Sequence, residues 1–131
     1  MRYLLVALAL GALGCDESPT GPTAPLNREF ELGRGQSAII EDVALTVRFN
    51  GVTNDSRCPG DAICIQGGDA LVHVTATSPQ SSRDYELHTG DMRPVQHEGL
   101  TIALVQVQPY PFSSRPPITP DDYRVTLKVT R

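Results

Sequence analysis

The sequence contains no tryptophan and few other aromatic residues, with three phenylalanines and four tyrosines among its 131 residues. An aromatic platform on which nucleic-acid bases could stack is therefore not indicated. Positive charge is also scarce, because 11 lysines and arginines are set against 15 aspartates and glutamates, and they form no basic cluster. A chain without such a cluster has little electrostatic attraction for phosphate backbones. We expect no nucleic-acid partner.

Cysteine is rare as well, and the sequence contains only Cys15, Cys58 and Cys64. Five residues separate Cys58 from Cys64, which differs from the C-x-x-C spacing of redox proteins. The segment Pro59–Asp61 between them has turn chemistry that brings the two cysteines together. We therefore predict a structural disulfide, whose short loop contributes about 2 to 2.5 kcal/mol through unfolded-state entropy.

Metal ligands are sparse by the same count. A zinc site needs four protein ligands, or three and a water molecule. The only histidines are His73, His88 and His97, and none lies close in sequence to the cysteines or within an H-E-x-x-H pattern. Asp121 and Asp122 could hold a cation, but they are better explained as the end of a turn. We predict no cofactor and no metal.

No apolar run is long enough to cross a bilayer as a helix, since the run from Leu4 to Leu13 has about ten residues and roughly 20 are needed. Arg2 precedes this run, and a small residue and Cys15 follow it. Such an arrangement is typical of a targeting segment. We predict that residues 1–14 are a signal peptide.

The Leu-Gly-Cys sequence at residues 13–15 resembles the lipobox of bacterial lipoproteins, with Ala12 where that family usually has leucine. The resemblance implies that Cys15 is lipidated and becomes the mature N-terminus. Ala12 and Gly14 also suit ordinary secretory cleavage, which is one alternative, and an uncleaved anchor is the other. Secretion without lipid would leave Cys15 as an unpaired thiol, so lipidation is favoured. The expected location is the cell envelope, on a periplasmic or extracellular membrane face. Asp16, which directly follows Cys15, does not decide between the inner and the outer membrane.

Residues 16–27 contain three prolines and one glycine and show no apolar periodicity. We predict that residues 15–27 are a lipidated cysteine followed by an extended tether. Twelve residues in polyproline-like form reach up to roughly 37 Å, which would hold the folded domain clear of the lipid.

From residue 28 onwards the apolar residues recur with a period of two, in short runs separated by turn residues. Leu45, Val47 and Phe49 form one such run, and Val125, Leu127 and Val129 form another. This pattern predicts an all-β domain. We expect residues 28–131 to form a single two-layer antiparallel β-sandwich of about seven strands, immunoglobulin-like or Greek-key, with one loop disulfide. A small barrel is the alternative.

Two segments, residues 55–74 and 104–129, are similar to a group of uncharacterised small bacterial lipoproteins and secreted proteins. The shared pattern is a turn of sequence Asp-Ser-Arg-Cys-Pro, a second cysteine, a glycine and a strand, then a Pro-Tyr-Pro loop before a final strand. It matches residues 55–59, Cys64 and Gly68, whereas Gln66 stands where similar sequences often have tryptophan. The resemblance supports the fold and compartment and implies no activity.

Two loops are candidate partner-binding sites, because loops on a rigid scaffold commonly carry binding residues. One contains Asp55, Ser56 and Arg57, which could instead cap a turn and form an internal ion pair. The other exposes aromatic residues and arginine, the composition of binding hot spots, although its aromatic residues could fold back over the core. Its candidate residues are Tyr110, Phe112 and Arg115.

The function predicted from these observations is a membrane-tethered envelope lipoprotein that acts as a non-enzymatic binding or structural module. Its expected contacts are the membrane, through the N-terminal lipid, and an envelope protein or cell-wall component. One alternative is a metal-dependent or hydrolytic envelope enzyme, although no Gly-x-Ser-x-Gly elbow surrounds any serine. The other is a secreted, soluble, inhibitor-like sandwich of the chagasin kind, although that family's Asn-Pro-Thr-Thr-Gly-type loop is absent.

Overall fold

The computed structural model describes residues 22–131, which form two β-sheets packed face to face. The predicted signal peptide and Cys15 lie outside the described residues. The nine strands are β1 (Thr23–Ala24), β2 (Glu29–Gly33), β3 (Ser37–Ile40), β4 (Leu45–Thr53), β5 (Leu71–Thr77), β6 (Ser82–His88), β7 (Val95–His97), β8 (Leu100–Gln108) and β9 (Arg124–Thr130). A short 3₁₀ turn, Pro120–Asp122, precedes β9. No helix among residues 22–131 has the length and apolar character needed to cross a membrane.

Each sheet is built mainly from consecutive hairpins. The first sheet has the order β1-β3-β4-β5-β6, in which β3 to β6 form an antiparallel meander and β1 pairs with β3 in parallel. The second has the order β2-β9-β8-β7, so that β7 to β9 form another meander and β2 joins its edge beside β9. The chain therefore crosses between the sheets three times, after β1, after β2 and after β6.

The predicted alternation of apolar residues builds the core between these sheets. Val47 and Phe49 of β4 face the interior from the first sheet, and Val125 and Leu127 of β9 face it from the second. All four side chains are buried, while their neighbours along each strand point outward. This arrangement gives the strands one dry and one wet face, as the sequence pattern predicts.

The two-layer, all-β sandwich with a Cys58–Cys64 disulfide is confirmed. The strand count differs from about seven because β1 has two residues and β7 three, too few to show a period. The strand order differs from the immunoglobulin-like expectation. Immunoglobulin sheets interleave strands that are distant in sequence, whereas here β3 to β6 and β7 to β9 are sequential neighbours and only β2, beside β9, is distant in sequence from the strand it joins.

The domain begins earlier than the predicted boundary at residue 28. Thr23 and Ala24, assigned to the tether from their proline-rich surroundings, pair with Ile39 and Ile40 of β3. Ala24 is only 2% exposed, and Asn27 donates its backbone N–H to the Val129 carbonyl. The prolines are compatible with this pairing because an edge strand needs fewer backbone donors than a central one.

Candidate functional site

Three long connections meet at one end of the sandwich, which is termed the loop end. They join β4 to β5 (residues 54–70), β6 to β7 (89–94) and β8 to β9 (109–123). Direct hydrogen bonds link them, for example from the Gly90 backbone N–H to Asp69 Oδ1 at 2.8 Å and from Arg57 Nη2 to the Pro109 carbonyl at 3.0 Å. The opposite end, which carries the turns β3–β4, β5–β6 and β7–β8, is termed the far end.

A buried ion pair lies at the centre of the loop end. Arg57 is only 8% exposed, and its Nε and Nη2 donate to the two carboxylate oxygens of Asp55 at 2.8 and 2.7 Å. The same guanidinium donates to the carbonyls of Val107 and Pro109 at 3.0 Å each. Tyr123, the residue before β9, donates its hydroxyl to Asp55 Oδ2 at 2.8 Å. The pair thereby ties the β4–β5 loop to both ends of the β8–β9 loop.

The protonation states of these groups follow from their contacts. Burial disfavours the carboxylate of Asp55, but hydrogen bonds from Arg57 and Tyr123 and the charge of Arg57 outweigh it, so the pKa of Asp55 lies below its usual value. Burial also opposes the charge of Arg57, yet Asp55 raises the pKa of this guanidinium. Burial and the hydrogen bond to Asp55 raise the pKa of Tyr123 to about 12. At neutral pH the ion pair is charged and Tyr123 is a donor.

The disulfide loop is packed against the β8–β9 loop by contacts from both sides. Asp61 accepts backbone hydrogen bonds from Ser113 at 2.6 Å and Ser114 at 2.9 Å, and these bonds lower its pKa to about 2. Gly60 donates its N–H to the Pro111 carbonyl at 2.8 Å. A Cβ at Gly60 would lie 2.7 Å from the Phe112 ring, so glycine permits this close approach.

The apex of this anchored loop presents apolar side chains to solvent. Ile63 and Ile65, on either side of Cys64, are fully exposed at 104% and 105% of their reference areas. Tyr110 is 50% exposed and lies near Arg57, whose Cζ is 5.5 Å from the ring centre. Met92 is also exposed. A fully exposed isoleucine pair on a loop held by a disulfide is an apolar surface available for contact with another molecule.

The candidate residues of the β4–β5 loop have internal contacts. Asp55 and Arg57 form the buried pair, and the Ser56 hydroxyl donates to the Asp69 carbonyl at 3.0 Å and accepts from the Asp69 N–H at 3.1 Å. These contacts agree with the alternative prediction that this segment caps a turn and forms an internal ion pair. Arg57 has almost no surface left for a partner.

The candidates of the β8–β9 loop divide into exposed and packed side chains. Tyr110 is exposed, whereas Phe112 is half-buried over Gly60 and meets the Tyr110 ring edge-on at 6.1 Å between centres. Arg115 is exposed and stacks over the Phe112 ring at 4.4 Å. Phe112 therefore folds back as the alternative predicted, while Tyr110 and Arg115 stay accessible.

Sequence reasoning missed the two isoleucines. A signal for them exists, because Ile63 and Ile65 occupy a turn-rich segment between strands and their side chains are not required by the period of any strand. Residues 62–68 are also free of charged side chains. Solubility alone would favour polar residues in such a loop, so an apolar pair there indicates a contact surface.

Two of the three histidines, His73 and His88, lie on the outer face of the first sheet, on the paired strands β5 and β6, whereas His97 belongs to the second sheet. His73 lies on the outer face of the first sheet, with Nε2 2.6 Å from Thr53 Oγ1. His88, at the loop end, pairs with Asp69 at 2.7 Å, and this contact raises the pKa of the imidazole. His97 is buried towards the far end, where Nδ1 is 2.8 Å from the Tyr85 hydroxyl.

The metal-dependent alternative finds no assembled site in the part of the chain that is described, and the Ser78–His97 contact bears on the hydrolytic alternative. Within residues 22–131, no group of three or more His, Cys, Asp or Glu side chains is placed to hold a metal ion. Ser78 Oγ lies 3.2 Å from His97 Nε2, but it also donates to Glu98 Oε2 at 2.5 Å. A nucleophilic serine needs a base free to take its proton, and here the carboxylate holds this hydroxyl in a turn contact.

The candidate site is therefore the loop end, with an uncharged isoleucine apex on a base held by a buried ion pair. Its rigidity comes from contacts that span the β4–β5 and β8–β9 loops. Such a surface can bind another molecule without rearranging. The chain matches no protein-family model, no curated protein and no solved structure.

Proposed function

We propose that this protein is a lipid-anchored lipoprotein of the cell envelope, tethered through Cys15. The signal-like residues 1–14 and the Leu-Gly-Cys sequence support the anchor. The disulfide adds support, because Cys58 and Cys64 are bonded to each other and leave Cys15 as the odd cysteine of the chain. Lipidation would remove the free thiol of Cys15, which would otherwise be unpaired and reactive outside the reducing cytosol.

The β-sandwich is proposed to act as a non-enzymatic binding module whose loop end contacts an envelope component. The single observation that carries this proposal is the full exposure of Ile63 and Ile65 on an anchored loop. Folding gains nothing from these side chains, since they lie outside the core. Burying each of them against a partner would be worth about 1.5 to 3 kcal/mol.

Labelling with a palmitate analogue tests the anchor. The wild-type chain should incorporate the label and remain with the membrane fraction, because the lipid attached to the Cys15 sulfur carries acyl chains. A Cys15→Ser chain should incorporate none, while Cys58→Ser/Cys64→Ser should still be labelled. An unlabelled wild-type chain that is recovered free of the membrane contradicts the proposal.

Site-specific photo-cross-linking tests the loop end. A photoreactive benzoylphenylalanine in place of Ile65 should form an adduct with an envelope component in intact cells. The same probe in place of Gln80, an exposed residue of the β5–β6 turn at the far end, is the matched control and should form none. Equal yields at the two positions, or no adduct at Ile65, would mean that the loop end is not the contact surface.

A further inference from the structure

The direction in which the chain enters the sandwich shows which end faces the anchor. Strand β1 runs parallel to β3, and β3 starts directly after the β2–β3 turn. That turn belongs to the loop end, because Arg34 within it donates to Asp121 Oδ1 at 3.0 Å. Pro22 therefore lies at the end of β1 that points towards the loop end.

The link between the anchor and the domain is short. The link consists of residues 16–21 only, because residues 22–27 are packed on the sandwich. Seven Cα-to-Cα steps cover at most about 25 Å. The Pro22 carbonyl accepts a hydrogen bond from Ile39, which places it near the level of Val47 in β4.

Most of the length of this link is needed to span the distance along β4 from the level of Pro22 to the loop end. Thr53, the last residue of β4, lies six positions beyond Val47, and because β4 has an irregularity between Phe49 and Gly51 this is roughly 17 Å nearer the loop end. The β4–β5 loop, which carries the disulfide, begins directly after this residue. With Cys15 held at a lipid surface, a link of this length brings the loop end down to that surface and does not hold the domain clear of it.

The apex has the chemistry of an interfacial contact. Residues 62–68 carry no charged side chain, and Ile63 and Ile65 are the most exposed large apolar side chains among residues 22–131. The acids that flank this segment are Asp61, whose carboxylate accepts from the backbone of Ser113 and Ser114, and Asp69, which pairs with His88. Tyr110 and Arg115 lie on the adjoining loop, and both residue types suit the boundary between acyl chains and headgroups.

From the chain direction, the link length and the uncharged apex, we infer that the loop end rests on the bilayer that carries the anchor, with Ile63 and Ile65 inserted among the lipids. The envelope component bound by this surface is then the lipid itself. This inference rests on the proposed anchoring at Cys15. The far end, with Gln80, faces away from the membrane.

The absence of tryptophan from the chain makes a clean test possible. Ile65→Trp places a single fluorophore at the apex, and Gln80→Trp places one at the far end as the matched control. Each acylated full-length protein is reconstituted into phosphatidylcholine vesicles with brominated acyl chains, which quench tryptophan on contact. The Ile65→Trp emission should be quenched and lie to the blue of the Gln80→Trp emission, which should be unquenched. Ile63→Trp provides a second reporter.

Three outcomes separate the inference from the function it rests on. Acylated protein whose Ile63→Trp and Ile65→Trp reporters are no more quenched than Gln80→Trp overturns the lipid contact. An unquenched reporter together with a protein adduct at the Ile65 photoprobe also overturns it, and leaves the binding function standing. Protein that carries no acyl chain overturns the anchoring itself, whatever the reporters show.

Discussion

Arg57 hydrogen-bonds to backbone carbonyls at the edge of the second sheet, where a longer edge strand would otherwise pair. Strand β7 pairs only with Leu100–Ile102, so the later part of β8 lacks this neighbour. Arg57 donates to the carbonyls of Val107 and Pro109 along that part, and Asp55 balances its charge. A buried charge without its partner is costly, so both residues are needed together.

Arg57→Ala is expected to lower the free energy of unfolding by about 3 to 5 kcal/mol, because it leaves the Asp55 carboxylate buried without its ion-pair partner. Urea unfolding monitored by circular dichroism measures the change. Arg115→Ala, which removes an exposed guanidinium from the same loop end, is the control and should cost less than about 1 kcal/mol. Similar losses in the two variants would contradict a structural role for the buried pair.

Asp61 should make the stability of the loop end sensitive to acid. Its pKa in the folded protein is about 2, below the ordinary value of 3.8, because it accepts the backbone hydrogen bonds of Ser113 and Ser114. A carboxyl group with a lowered folded pKa stabilises the native state above its unfolded pKa, and this contribution is lost as the pH falls towards the folded value.

Asp61→Asn should therefore be less stable than wild type between pH 5 and 7, with the difference shrinking as the pH falls from about 4 to about 2. Urea midpoints across this range provide the measurement. Glu29→Gln, which neutralises an exposed carboxylate on β2, should show no such convergence. A difference for Asp61→Asn that stays constant down to pH 2 would show that its hydrogen bonds do not depend on the charge.

At the scale of elements, the β4–β5 loop is shaped by two adjacent glycines with different roles. Gly68 has a φ of +68°, and a Cβ there would overlap the carbonyl oxygen of Ser56. Gly67 has no atom within 4 Å of the position its Cβ would take. Only Gly68 is needed for the chain to turn back beneath the disulfide loop and enter β5.

Gly68→Ala is expected to destabilise the protein by about 2 kcal/mol or more, because alanine meets both the unfavourable backbone conformation and the Ser56 carbonyl. Gly67→Ala should change the stability by no more than about 0.5 kcal/mol, as for an ordinary surface substitution. Thermal unfolding of the two oxidised proteins makes the comparison directly. Equal effects would mean that the turn at residue 68 adapts to a side chain.

At the scale of the whole molecule, the sandwich is closed at one edge by residues that look like a linker. The two residues of β1 cover β3, and Ala24 is buried in the core while Thr23 faces solvent. Their pairing also shortens the link to Cys15, and the proposed contact of the loop end with the membrane depends on that short link. The residue at which the domain begins therefore affects both the stability of the sandwich and its proposed orientation on the membrane.

Ala24→Asp is expected to cost about 2 kcal/mol or more, because it buries an unpaired carboxyl group. Thr23→Asp places the same group on the exposed side of the same strand and should be nearly neutral. Urea unfolding of the two variants provides the comparison. If both behave alike, residues 22–27 belong to the tether and not to the domain.

The sequence alone was enough for the fold class, most of the strands and the disulfide. These features depend on local patterns: the alternation of Leu45, Val47 and Phe49 shows a strand with one buried face, and Pro59–Asp61 shows a turn between two cysteines. The signal peptide and the lipid on Cys15 are also predicted from local sequence. They remain predictions, since residue 15 lies outside the described part.

Only the tertiary structure decided the order of the strands, the loop-end contacts and the start of the domain. Asp55 and Tyr123 are 68 positions apart, and Arg57 and Val107 are 50 apart, so no local period can indicate that they meet. The exposure of Ile63 and Ile65 is likewise a property of the packed molecule, because a side chain is exposed only relative to a core that other segments have already filled.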